Sequence, residues 1–145
     1  MKNVNSDNIQ TEKENSLKIS GGKFGFGQCC EGAAADYLKS KGYELIFRNY
    51  RVKGGEIDLI MKKENILAFI EVKARAKTDN IRRFGRPGAA VNYQKRRHII
   101  YAAEDYLRTH PKIGQPRMDV IEVYYEVFDG CIALEFNHII NAFTK

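Results

Sequence analysis

Apolar and polar positions along this chain change period several times, and each change marks an element. From about Gln28 to Ser40 the chain is rich in alanine, and Ala34, Ala35 and Leu38 fall on one helical stripe. A helix is predicted there, with Gly42 as its stop. Tyr43 to Val52 has the composition of a strand, followed by a turn at Lys53-Gly54-Gly55. Glu56 to Met61 and Ile66 to Ala74 are two more strands, and their short Lys62–Asn65 connection makes them antiparallel neighbours. After a basic loop from Ala76 to Gly88, a second helix is expected from roughly Ala89 to Thr109, closed by Pro111. Met118 to Val127 and Cys131 to about Phe136 complete the series as strands joined at Asp129-Gly130.

The order α-β-β-β-α-β-β predicts an α/β chain (α+β, mixed sheet) with a helix before and after a three-stranded meander. A length of 145 residues with 43% apolar content suits one domain with an ordinary core. Residues 1–26 are expected to form a flexible N-terminal tail, and 27–145 the single domain. The glycine run Gly21 to Gly27 follows no strand, so it does not have the setting of a phosphate-binding loop. No stretch approaches the roughly 20 apolar residues that span a bilayer, and residues 1–20 lack the apolar run of a signal peptide. The expectation is a cytoplasmic protein with no membrane partner. Cys29, Cys30 and Cys131 make a poor disulfide framework, and neither they nor His98, His110 and His138 have zinc-site spacing.

Charge changes this picture more than composition does. The net charge is +6, but nine basic residues against one acid between Lys73 and Arg97 give that window +8 and leave the rest of the chain at −2. The excess lies directly after Glu71-Val72-Lys73, the only Asp/Glu-x-Lys in the chain. A basic segment beside an acidic pair is the footprint of a site for a polyanion, most simply nucleic acid.

The candidate chemistry centres on Asp58, Glu71 and Lys73. Glu71 and Lys73 are two apart on a predicted strand and so share a face, and Asp58 lies on the strand that pairs with theirs. Charges on core strands are costly unless they have partners or a use. Two carboxylates with waters suit Mg²⁺ or Mn²⁺, and a lysine one pleat away can stabilise charge developing on a phosphate. Four further residues carry open readings. Glu31, beside the apolar stripe of the first helix, either leans over the sheet toward a metal or turns to solvent at the helix N-terminus. Glu56 is either a supporting acid or an exposed turn residue. Lys95, four residues before Ile99, either contacts phosphate or supports the site, or is a solvated helix lysine. Asp119, in strand register with Ile121 and Val123, is read as structural, paired with Arg117 or a backbone donor.

These residues also form a recognisable set. Gly27-x-x-x-Glu31-x-x-Ala34-x-x-Tyr37-Leu38 is followed by Gly42-Tyr43-Glu44-Leu45, Arg48-Asn49-Tyr50-Arg51 and Gly55-Glu56-Ile57-Asp58-Leu59-Ile60. Phe69-Ile70-Glu71-Val72-Lys73-Ala74-Arg75, Lys95 and Arg117-Met118-Asp119-Val120 complete it. From about Gly27 to Tyr125 the chain resembles the YraN-like family of uncharacterised bacterial proteins (uncharacterised protein family 0102). That family is similar to the PD-(D/E)XK nucleases, especially archaeal-type Holliday junction resolvases. The resemblance implies a three-layer, restriction-endonuclease-like α-β-β-β-α-β core. It implies Asp58 and Glu71 as metal ligands and catalytic acids, Lys73 as the catalytic lysine, and Glu31 as the helical glutamate of the resolvase-like branch. The proline of the superfamily's name is absent, because Ile57 precedes Asp58.

The resulting expectation is a Mg²⁺- or Mn²⁺-dependent endonuclease acting on DNA in preference to RNA, and on structured or branched forms. Arg75, Lys77, Arg82, Arg83, Arg86, Lys95 and Arg96 would grip the backbone irrespective of sequence. No aromatic–basic interleaving of an RNA-recognition sheet is evident. A non-catalytic nucleic-acid binder on the same scaffold is the rival reading. A homodimer is implied by analogy alone.

Overall fold

The structure, a computed structural model, describes residues 22–77, 91–111 and 114–144. Two helices and five strands follow one another as α1 (Gly22–Ser40), β1 (Glu44–Val52), β2 (Gly55–Lys63), β3 (Ile66–Ala76), α2 (Tyr93–Thr109), β4 (Gln115–Phe128) and β5 (Cys131–Phe143). The strands form a single mixed sheet in the order β1-β2-β3-β4-β5. β3 and β4 run parallel across α2, and all other neighbours are antiparallel. The expected α+β class and element order are therefore present. Residues 1–21 and 78–90, which hold most of the expected tail and most of the basic loop, lie outside the described residues.

Alternation along the central strands sends side chains to both faces, and each face is closed by one helix. Leu59, Met61, Ala68 and Ile70 pack beneath Cys30, Ala33, Ala34 and Leu38 of α1. Ile60, Leu67 and Phe69 pack on the other face against Ile99, Ala102, Ala103 and Tyr106 of α2. Burying each large apolar side chain contributes about 1.5–3 kcal/mol, so the near-continuous apolar runs of β2 and β3 are those of strands covered twice.

Helix ends and turns are set by local chemistry. α1 stops in a Schellman motif, in which the N–H groups of Tyr43 and Gly42 donate to the carbonyls of Leu38 and Lys39 while Gly42 takes φ +96°. Its start at Gly22 precedes the expected Gln28. α2 begins later than its apolar pattern suggests, because Asn92 is its N-cap and accepts from the Lys95 N–H at 2.9 Å. β5 runs seven residues past its expected end, to Phe143, through an irregular pairing opposite Met118 and Val120.

One close approach aims α2 at the sheet. Gly55 opens β2, and a methyl group there would lie 2.4 Å from the His98 carbonyl oxygen and 3.1 Å from Ala102 Cβ. Only glycine lets the first turns of α2 settle on this strand end, which brings Lys95 over the sheet.

Candidate active site

The site lies where β2 and β3 part. Their ladder ends at Leu59 paired with Ile70, yet β2 extends back to Gly55 along β1 and β3 runs on to Ala76 along β4. Past the last pair, the Asp58 side chain takes the place of the missing strand, and its Oδ2 accepts the Val72 N–H at 2.8 Å. The alternation of faces also breaks here. Ile57 faces α2 while Leu59, two residues on, faces α1. On the neighbouring strand Asn49 lies between Arg48, which pairs with Leu59, and Tyr50, which pairs with Ile57. Asn49 takes φ +56°, a left-handed conformation that Asn tolerates better than most residues. Asp58 therefore sits in a fork, reachable from either layer.

Glu71 and Lys73 follow the pleat from Leu67 and Phe69 and lie on the α2 side. Glu71 is buried and Lys73 is exposed. The Asp58 and Glu71 carboxyls are close enough to share a proton. Burial, and then the neighbouring Asp58, push the Glu71 carboxyl up to about 8, against the opposing pull of Lys95 and Lys73. Lys95 descends from the first turn of α2 to bridge two acids, with its Nζ 3.2 Å from Glu56 Oε1 and 3.5 Å from Glu71 Oε2. Burial lowers the Lys95 ammonium, but Glu71 and Glu56 more than offset this and hold it above its ordinary value.

Glu31 enters the fork from α1. Burial, then the Asp58 charge, raises its carboxyl, while Arg48 and the Asn49 amide act to keep it ionised. The Arg48 Nε lies 3.8 Å from Glu31 Oε1, and its Nη2 donates to the Gln28 carbonyl at 2.6 Å. Glu31 thus points inward toward Asp58, and Lys95 toward Glu71 and Glu56. Glu56 is half exposed and pairs with both Lys95 and Arg51, the latter at 3.7 Å.

These contacts leave two deficits. Glu71 Oε1 and Glu31 Oε1 are both buried with no hydrogen-bond partner. Crowded acids with orphaned oxygens fit a divalent cation, which would remove both the repulsion and the missing partners. Among the described residues no group of three or more His, Cys, Asp or Glu side chains forms a ready metal cage. A cation here would have Asp58 and Glu71 as donors and take water at its other positions, as magnesium often does. A cleft of about 250 Å³ lined by Arg51, Gly55, Glu56, Lys95 and His98 opens beside it. A larger concavity of about 800 Å³ runs over the outer side of α2 and does not include the carboxylates.

The expected cationic grip is divided. Arg75 turns onto Glu122 at 3.3 Å, and Lys77 lies 3.6 Å from Glu126 and 3.5 Å from Glu135. Arg96 folds back, donating to the Val91 carbonyl at 2.9 Å with its guanidinium over the Phe143 ring. Arg82, Arg83 and Arg86 lie outside the described residues. Lys73 makes no ion pair or hydrogen bond among the described residues, and with Lys95 it acts on the buried Glu71 carboxyl. Arg48 and Asn49 had no place in the expected site. A polar Asn inside a strand pattern was the only available signal.

The chain is one of a well-populated bacterial group. The family described as Uncharacterised protein family UPF0102 matches residues 30–123, and the chain belongs to it. It is similar to a UPF0102 protein of Caldanaerobacter subterraneus subsp. tengcongensis, 40% identical over 118 residues that cover 81% of this chain and 93% of that one. A UPF0102 protein of Clostridioides difficile is 43% identical over 114 residues, covering 78% and 91%. One from Ralstonia nicotianae is 43% identical over 99 residues, covering 67% and 75%. The matched span runs from Cys30 in α1 to Val123 in the middle of β4 and so includes Glu31, Asn49, Asp58, Glu71 and Lys95. Among the described residues no helix is long and apolar enough to cross a membrane.

Proposed function

We propose that this protein is a metal-dependent nuclease that hydrolyses phosphodiester bonds in DNA, structured or branched DNA above all, on a restriction-endonuclease-like core. The observation that carries the reading is the meeting of Asp58 and Glu71 at the fork, with an orphaned carboxylate oxygen and with Lys73 and Lys95 close to Glu71. The α-β-β-β-α-β order and the two covering helices support the core.

A bound Mg²⁺ or Mn²⁺ would supply Lewis-acid activation of water and neutralise charge on the phosphate. Asp58 and Glu71 would hold it, with Glu31 assisting from α1 and Asn49 steadying Glu31. Lys73, exposed beside Glu71, would offer its ammonium to the phosphate oxygens as charge builds there. Water adds to phosphorus, one P–O ester bond breaks, and the departing oxygen takes a proton. Lys95 would keep Glu71 directed at the fork and, once the acids have another partner, would be free to meet a phosphate. Backbone contacts of this kind are indifferent to sequence and weaken steeply with salt.

The test is cleavage of a labelled four-way junction, flap, linear duplex, single-stranded DNA and RNA in Mg²⁺ and in Mn²⁺. Wild type is compared with Asp58→Ala. Cleavage lost in the variant upholds the reading and names the substrate; an uncut panel with salt-sensitive binding intact overturns it. The Lys95 bridge between Glu56 and Glu71 favours a second reading, a binder whose acids are balanced internally. Calorimetric titration separates the two, since such a binder has no divalent site that depends on Asp58.

A further inference from the structure

The outer ridge of α2 carries a stripe that the carboxylate site does not use. Tyr93, Arg97 and Tyr101 stand at i, i+4 and i+8. Tyr93 is 74% exposed and Tyr101 56% exposed. The Arg97 guanidinium lies over the Tyr93 ring, 5.9 Å from its centroid. Tyr101 rests against the β1–β2 turn, where its Cε1 is 3.6 Å from the position a Gly54 Cβ would take. Scattered exposed aromatics need no explanation, but here one is capped by a cation and the other continues the same helical ridge. The first acid along α2 is Glu104, which lines the same concavity beyond Tyr101, so the ridge from Tyr93 to Tyr101 is itself free of acids. His98 lines both this outer concavity and the cleft beside Glu56 and Lys95, so the two surfaces are continuous.

We propose that this stripe is a stacking track for unpaired bases of the strand that runs from the carboxylate site. The inference rests on the nucleic-acid part of the function proposed above and narrows the substrate to strands with a single-stranded portion. Every base has a flat face that a tyrosine can cover, so stacking works without reading sequence, while Arg97, His98 and Lys95 follow the phosphates. A paired duplex hides those faces. Spacing points the same way: successive residues on an i, i+4 ridge are about 6 Å apart along the helix. That is nearly twice the roughly 3.4 Å rise per nucleotide of a stacked duplex strand, and it suits an extended one. A second copy of the chain is a poor occupant, because a two-fold contact through this ridge would set Arg97 and His98 against their own counterparts.

The test is fluorescence anisotropy of the full chain in EDTA, so that cleavage plays no part. The probes are labelled oligo-dT, a blunt duplex, and the same duplex with a single-stranded arm. Tyr93→Leu and Tyr101→Leu are each expected to weaken binding to oligo-dT and to the armed duplex by about fivefold or more. The blunt duplex should change by less than about twofold, and Tyr93→Phe and Tyr101→Phe should bind as wild type. Equal losses on all three probes, or none on any, would overturn the stacking track. So would an oligomer in sedimentation velocity that the leucine variants dissolve. If the blunt duplex still binds while oligo-dT is indifferent to both tyrosines, the stripe fails and the nuclease reading stands. If no probe binds at all, both fail.

Discussion

Two buried acidic centres lie on this sheet, and they are built in opposite ways. Asp119 is fully buried, and all of its capacity is used. Arg117 donates to it through Nε at 2.8 Å and Nη2 at 2.7 Å, the Asn141 N–H donates at 2.9 Å, and His138 Nε2 lies 2.8 Å away. Arg117 in turn reaches the Tyr43 hydroxyl at 2.7 Å, so the network ties β4 and β5 to the start of β1. Burial alone would push the Asp119 carboxyl up, but hydrogen bonds from His138, Arg117 and Asn141 outweigh it and hold the group below its usual range. Glu71 shares the burial and lacks the donors, so it is displaced upward. A buried acid with every lone pair matched serves the fold. One left crowded against a second acid, with Lys95 as its ion-pair partner, is where the proposed cation would act.

The largest effect should come from breaking the matched centre. Asp119→Ala leaves the partly buried Arg117 and His138 without their shared partner and should cost about 3 kcal/mol in urea unfolding. Asp58→Asn, measured without divalent ions, should be neutral or stabilising because it relieves repulsion at the fork. Similar costs for the two variants would end the contrast.

Next in size is the response to a cation. Mg²⁺ at a hundredfold above its Kd should stabilise the wild type by about 2.7 kcal/mol. The gain should vanish in Asp58→Asn and persist in a variant of the exposed Val127, far along the sheet. Thermal unfolding with and without EDTA reads it directly.

The pH dependence sharpens the comparison through its sign. The folded Glu71 carboxyl keeps its proton to about 8, whereas an unfolded glutamate loses it near 4.3. The native state therefore holds the extra proton between those values, and this group's contribution to stability declines as pH rises across that window. Glu71→Gln should flatten the decline in metal-free protein. Asp119 acts in the other direction, because its depressed carboxyl contributes above the ordinary aspartate value and that contribution is lost as acid protonates it. A stability curve that Glu71→Gln leaves unchanged between pH 5 and 8 would show that the fork holds no unusual proton.

The smallest effect concerns Lys95. Its ion pairs are partly open to solvent and should be worth no more than about 1 kcal/mol to folding. Lys95→Met should nevertheless move the Glu71 transition to higher pH, because the lysine is the larger of the two cationic pulls on it. NMR titration of the Glu71 side chain would register a shift too small for unfolding to detect.

Much of this was legible in the sequence for simple physical reasons. Period-two and helical patterns located the seven elements seen among the described residues, since burial of one face or two leaves its period on the chain. The pairing of Glu71 with Lys73 followed from the pleat, and their nearness to Asp58 from the short turn between β2 and β3. Asp119 in strand register predicted an Arg117 or backbone partner, and it has both. Element ends were less legible. Asn92 delays α2 through a side-chain cap, and β5 outruns its apolar pattern because the irregular pairing near Asn141 carries it past a change of register.

What the sequence by itself determined is the set of elements, their order, and the local neighbours along each strand and helix, because those depend on spacing within a short window. Only the tertiary structure decided how charges from distant segments meet. It parted β2 from β3 so that Glu31 of α1 and Glu71 on the opposite face converge on Asp58. It turned Arg75 and Lys77 from a free basic run into partners of Glu122, Glu126 and Glu135. It lowered Lys95 onto the sheet through the bare backbone of Gly55. Each outcome depends on which side chains occupy the same few ångströms once the layers close, and a charge acts on whatever is near it in space.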